Sequence, residues 1–197
     1  DKYLYTGRIS DDTSNTVPFY ARYLFDAIEG KTKVVSLTAT EKYSRQGPEE
    51  GTLITLDVNN GAHLLSFQDM QDNQEKTVFE RPLIIFPLQM DAGEVYADEV
   101  PFSVKEGDQT LTTGRVSVEV RLLGGSFVRV PAGWYFCAKI KRSETAIIDN
   151  EKETQEEIIF LAKGIVMVKK IKVRDAFLDD AKVETTKITY RLEKKSR

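Results

Sequence analysis

A chain of 197 residues that is 41% hydrophobic and 30% charged is long enough to bury a sizeable core and too apolar to stay disordered. Its net charge of −3 gives no long-range attraction for a polyanion, so a nucleic-acid partner is disfavoured. No run reaches the roughly 18 to 20 consecutive apolar residues of a membrane-crossing helix, and a single cysteine, Cys137, excludes an intramolecular disulfide.

Lys2 to Ser10 alternates loosely, with Tyr3, Tyr5 and Ile9 on one side, and predicts a first strand ahead of a polar turn at Asp11 to Thr16. Phe19 to Ile28 fits both helical and strand spacing, and its aromatic content favours strand. A turn at Glu29-Gly30-Lys31 leads into a strand over 33–43, rich in β-branched residues, and a loop holds Gly47-Pro48. Ile54, Leu56 and Val58 share one face before Asn59-Asn60-Gly61 turns the chain back into 62–68. A polar connection over 69–75 precedes one or two strands in 76–86, broken at Pro82.

Pro87 to Gly93 reads as a corner, the strand pattern resumes at 94–97, and Asp108 separates two further strands. Val116 to Leu122 alternates so strictly that one face must be wet. Gly124-Gly125 reads as a turn into Ser126 to Val130, followed by the Pro131-Ala132-Gly133 corner. The next strand, 134–141, places Trp134, Phe136, Ala138 and Ile140 on one face, with Trp134 as a core anchor and Cys137 as a small buried hydrophobe. Asp149 to Glu157 reads as a solvated acidic connection. A hairpin with a Lys163-Gly164 corner, a loop or helical turn over 174–181, a last strand over 183–192 and a frayed tail complete the chain.

These elements predict a mainly β fold: a large curved antiparallel sheet, half-barrel or sandwich-like, with at most one or two short helices. Burying the alternating faces requires a sandwich, a closed barrel, or a sheet wrapped around a short helix or a ligand. One β-rich domain over 1–197 is expected, with 1–80 and 81–197 as two sub-sheets of one core.

Few residues of the chain point to chemistry. His63 is the only histidine, so any Ser-His-Asp or Cys-His device would pass through it, and beside the Asn-Gly turn it reads as a strand-start residue. Acidic clusters at Asp69, Asp72 and Glu75, at Asp149, Glu151 and Glu153, and at Asp175, Asp179 and Asp180 lack the central glycine of a calcium loop. No phosphate-cradling glycine motif and no Gly-x-Ser-x-Gly occurs. No catalytic residue, metal ligand or cofactor is assigned.

Three segments carry a resemblance. Pro87-Leu88 through Gly93 to Tyr96, then Val130-Pro131-Ala132-Gly133-Trp134-Tyr135-Phe136-Cys137, then Phe160 to Lys169 resemble, in that order, a group of uncharacterised bacterial envelope lipoproteins and periplasmic proteins. The match covers about 86–190 and departs from the group at Gly93, which falls late, and at Val95, where Trp is common. The resemblance implies an exported domain in the periplasm or outer cell envelope, with a sheet similar to the half-barrel of lipoprotein carriers and no agreed activity. The chain opens on Asp1-Lys2-Tyr3, without an apolar signal region, so an export leader would precede it.

The expected role is non-enzymatic. A concave face lined by Phe102, Val118, Trp134, Phe136, Phe160 and Tyr190 would hold an apolar, lipid-like ligand or an envelope protein. The alternatives are a hydrolase working through carboxylates or a bound cation, and a scaffold that oligomerises by pairing strand edges.

Overall fold

The computed structural model describes residues 2–10, 16–28, 31–39, 50–57, 62–69, 75–87, 89–163 and 165–196, with most side chains placed from Glu75 onward. Period-two alternation of apolar and polar residues yields twelve strands. They are β1 (Lys2–Ser10), β2 (Thr16–Ile28), β3 (Lys31–Ala39), β4 (Glu50–Asp57), β5 (Ala62–Asp69) and β6 (Glu75–Phe86), followed by β7 (Val95–Glu106), β8 (Gln109–Val130), β9 (Gly133–Ile148), β10 (Glu151–Ala162), β11 (Ile165–Leu178) and β12 (Ala181–Ser196). Among the described residues there is no helix.

Each strand pairs antiparallel with the next, and β12 returns to pair with β1, Lys2 opposite Ser196 and Ile9 opposite Ile188. The expected large, curved antiparallel sheet is therefore present, and of the three ways to bury its faces the chain takes the closed barrel. The carboxyl-terminal tail, expected to fray, has its backbone in this closing ladder as far as Ser196.

Two irregularities shape the wall. The β6–β7 ladder covers only Glu75–Phe79 against Phe102–Glu106, and prolines 82 and 101 stand just beyond its end, where a missing N–H cannot continue it. β6 itself continues past Pro82 as one strand, so the expected break falls in the pairing and not in the strand. Arg81 bridges the resulting seam, with Nη2 donating to Asp98 Oδ1 at 2.6 Å and to the Glu99 carbonyl at 2.7 Å.

The second irregularity is a crease. β8 carries one extra residue between Leu122 and Gly124 relative to β9, with Gly124 at φ +107°, a conformation that glycine adopts freely. Ile159 with Phe160, and Met167 with Val168, are consecutive residues that are both buried, although regular strands send neighbours to opposite faces. The crease separates two clusters. One gathers Phe79, Leu83, Val100, Phe102, Val116, Val118, Val120 and Ile140. The other gathers Val128, Val130, Cys137, Phe160, Met167, Val168, Leu192 and Tyr5.

Past the crease, the end of the β8–β9 hairpin folds across the barrel mouth. Ala132 N–H donates to the Leu192 carbonyl at 3.2 Å, and Tyr5 Oη donates to the Met167 carbonyl at 2.9 Å beneath it.

Other expectations are revised. Gly124-Gly125 does not turn the chain; β8 runs unbroken from Gln109 to Val130, and Gly124 bends it. The acidic run 149–157 is a turn of only two residues, Asp149-Asn150, followed by β10. Likewise 174–181 is strand up to Leu178 and a tight turn at Asp179-Asp180, both at positive φ. Aspartate tolerates that region, which gives the sharp corners. Gly133, at φ +129°, makes the expected Pro-Ala-Gly corner. The corners placed at 29–31, 47–48, 59–61 and Gly164 lie wholly or largely outside the described residues.

Candidate functional site

The six residues expected to line one concave face are divided by the structure. Phe102 and Val118 are buried in the first cluster, Phe102 meeting Phe79 edge to face at 6.0 Å between ring centroids. Phe160 is buried in the second cluster, and Tyr190 packs half-buried against it. Lysine ammonium groups cover both rings, Lys169 at 5.6 Å from the Phe160 centroid and Lys170 at 4.7 Å from that of Tyr190.

Trp134 and Phe136 point the other way, 67% and 63% exposed. Trp134 is thus not a core anchor, and it does not share a face with Ile140, which is buried. The crease explains this: alternation in β9 changes phase between Cys137 and Ile140, so the period-two reading carried across 134–141 puts the aromatics on the wrong side.

On the outer face of the hairpin, register sets Phe127 opposite Phe136 and Arg129 opposite Trp134. Phe127 is 73% exposed, and its ring lies 5.0 Å from that of Phe136. The Arg129 guanidinium sits 5.8 Å from the Trp134 ring centroid. Gly125 provides the floor for Phe136, because a Cβ there would come within 2.5 Å of the ring's Cζ. The turn is tied by Tyr135 Oη donating to the Ala132 carbonyl at 3.1 Å.

The inner face of this hairpin already supplies Val128, Val130 and Cys137 to the core. Earlier in β8 the outer positions opposite such a core are Arg115, Glu119 and Arg121, as solvation requires. The hairpin end breaks that rule by being apolar on both sides.

A second constellation is a buried row of charge across β9, β10 and β11. Register places Arg142 opposite Glu157 and Glu157 opposite Lys172. Arg142 donates from Nη1 to Glu157 Oε2 at 3.2 Å and from Nη2 to Glu144, and Lys170 Nζ lies 3.3 Å from Glu157 Oε1. Burial works to raise the Glu157 pKa, but Lys170, Arg142 and Lys172 outweigh it and hold the carboxyl at about 2. Burial disfavours the charge of Arg142 as well, yet Glu144 and Glu157 keep its pKa above the ordinary value. Burial, then Lys170, pulls the Lys172 pKa down. Arg142 Nε has no hydrogen-bond partner.

This row was missed because Glu157 closes an acidic run read as solvated. Its position two residues before buried Ile159, like that of Arg142 two residues after Ile140, was the available signal.

Within the acidic clusters that a cation-dependent hydrolase would use, three of the described carboxylates are paired. Glu153 accepts from Arg174 at 2.6 Å, Asp175 meets Lys182 at 3.1 Å, and Asp179 accepts from Asn150 at 2.8 Å. Among the described residues no three His, Cys, Asp or Glu side chains gather as a metal-ligand set. The side chains of His63, Asp69 and Asp72 lie outside the described set.

No helix among the described residues is long and apolar enough to cross a membrane. At mid-height the outer wall carries exposed ion pairs, Arg121 with Glu119 at 3.5 Å and Lys141 with Glu156 at 2.9 Å. A spanning barrel needs an apolar outer band at that height.

No protein-family model matches the chain, and no curated protein matches its sequence. Solved structures similar to it include a protein provisionally described as exported, with a YmcC-like fold, from Bacteroides fragilis NCTC 9343. It is 12% identical with a TM-score of 0.49, over 98% of this chain and 97% of that one. A protein provisionally described as a lipoprotein, from Parabacteroides distasonis ATCC 8503, is 11% identical with a TM-score of 0.45, over 98% and 94%. The hypothetical lipoprotein YmcC of Escherichia coli K12 is 10% identical with a TM-score of 0.42, over 99% and 85%.

Proposed function

We propose that the chain is a non-enzymatic protein of the bacterial cell envelope, periplasmic or at the outer envelope. In this reading its barrel offers the outer face of the β8–β9 hairpin to a lipid-like ligand or an envelope partner. The reading draws on the motif resemblance for location and on the hairpin for activity. One observation carries the activity: Phe127, Trp134 and Phe136 stand together, each about two-thirds exposed, on a surface whose opposite side already fills the core.

An aromatic side chain buries about 150–250 Å² when fully covered. Two-thirds of that for three residues leaves roughly 300–500 Å² of aromatic surface, the size of patch that marks a contact site on a monomer. Covering it is worth about 10 kcal/mol gross at about 25 cal/mol per Å², comparable to the cost of association, so binding is expected to be reversible.

Trp134 is the only tryptophan, so its fluorescence reports on this face alone. Adding micelles of zwitterionic dodecylphosphocholine to the folded protein should shift its emission to the blue and protect it from acrylamide. An emission that stays red and fully quenchable would refute the reading.

A further inference from the structure

We infer that the partner of this face is the surface of an anionic lipid bilayer, on which the barrel rests by the end that carries the hairpin tip. This inference rests on the proposed function and adds to it the charge of the occupant.

The observation is a separation of charge along the barrel axis. The row Val120, Arg142, Glu157, Lys172, Ile188 crosses β8 to β12 at mid-height. On the hairpin-tip side of that row, residues 121–141 hold four Lys or Arg, 158–171 hold three and 189–193 hold Arg191, against Glu193 and, in the corner beside Leu122 that leads into β7, Asp91 and Glu94. On the other side, residues 109–119 hold one carboxylate, 143–156 five and 173–187 four, against five cations in all. The net charge of −3 therefore conceals a basic end and an acidic end.

The basic end is also the aromatic one. Arg129 lies over Trp134, and the Ala132–Leu192 hydrogen bond sets the hairpin tip beside exposed Arg191. Lys163 is exposed at the neighbouring turn. Aromatic rings flanked by Arg and Lys suit the boundary between headgroups and acyl chains, where the ring enters and the cation stays with the phosphates. The charged outer wall at mid-height limits that entry to the tip, so the barrel lies on the bilayer and does not cross it.

The test is flotation of the purified chain with phosphatidylcholine vesicles, with or without phosphatidylglycerol, reading Trp134 emission in parallel. Binding and a blue shift are expected on the anionic vesicles, weakening as salt rises. The double variant Arg129→Glu, Lys163→Glu should reduce partitioning at least about tenfold, whereas Asp108→Lys at the acidic end should not. Far-ultraviolet circular dichroism identifies a variant that fails to fold; if the double one does, the wild-type salt dependence and Asp108→Lys decide. Equal binding to neutral and anionic vesicles without salt dependence overturns this inference and leaves the aromatic reading standing. Absence of any shift on either vesicle or on micelles overturns both. Loss of binding in Asp108→Lys equal to that in the double variant refutes the orientation.

Discussion

Replacing Glu157 with Gln removes one negative charge from the buried row while keeping the side chain's size. The carboxyl's ordinary pKa of 4.5 falls to about 2 in the fold. At about 1.4 kcal/mol for each tenfold change in proton affinity, this corresponds to about 3 kcal/mol of native-state preference for the carboxylate. Breaking one member of a buried ion pair independently suggests about 3–5 kcal/mol. Because the folded pKa is depressed, the contribution is fully present above about 4.5 and is lost as pH falls towards about 2. Urea unfolding of wild type and Glu157→Gln should thus give midpoints well apart at neutral pH, with equal slopes. The gap should close on acidification, since protonated Glu157 and Gln are then alike. A gap under about 1 kcal/mol at neutral pH, or one unchanged down to pH of about 3, would refute the assignment of Glu157 as the shared counter-ion of Arg142 and Lys170.

Three further outcomes are expected. Gly114→Ala places a Cβ 2.5 Å from the Ile147 carbonyl oxygen and 2.7 Å from Phe102 Cζ; a loss of about 1–3 kcal/mol in a thermal or urea melt follows, and a neutral result would show that β8 and β9 can part there. Asp98→Asn weakens the Arg81 fork that bridges the seam, so amide hydrogen exchange should speed up in 80–86 and 95–101 while β10 keeps its protection; unchanged exchange at the seam would dismiss the bridge. Cys137 is fully buried, and burial raises its thiol pKa, so Ellman's reagent should modify it only as fast as the hairpin lifts or the protein unfolds. Immediate stoichiometric labelling would contradict the packed hairpin.

Most strands were legible because their signal is local. The strict alternation of Val116 to Leu122 and the β-branched run at 34–40 each declare a pleated segment without reference to anything distant. What the sequence hid depends on partners. Whether Trp134 faces in or out turns on the extra residue at Leu123, which is visible only once β8 is laid against β9. Glu157 looked solvated because its three cations, Arg142, Lys170 and Lys172, come from other strands. The hairpin aromatics illustrate the same point from the other side: residue type suggested a binding role for Trp134 and Phe136, but their neighbour Phe127 and their outward direction came from register.

The pairing of β1 with β12 also sets a timetable. The ladder from Lys2 opposite Ser196 to Ser10 opposite Lys187 joins segments nearly the whole described chain apart, so the ring cannot be fastened until almost everything between them has been made and threaded. Until then Val128, Val130 and Cys137 lack the Leu192 and Tyr5 they will rest on, and the hairpin is sticky on both sides. Contacts of such long reach slow folding and leave unpaired edges exposed to neighbouring copies. Refolding from denaturant should therefore yield monomer at high dilution and precipitate when concentrated.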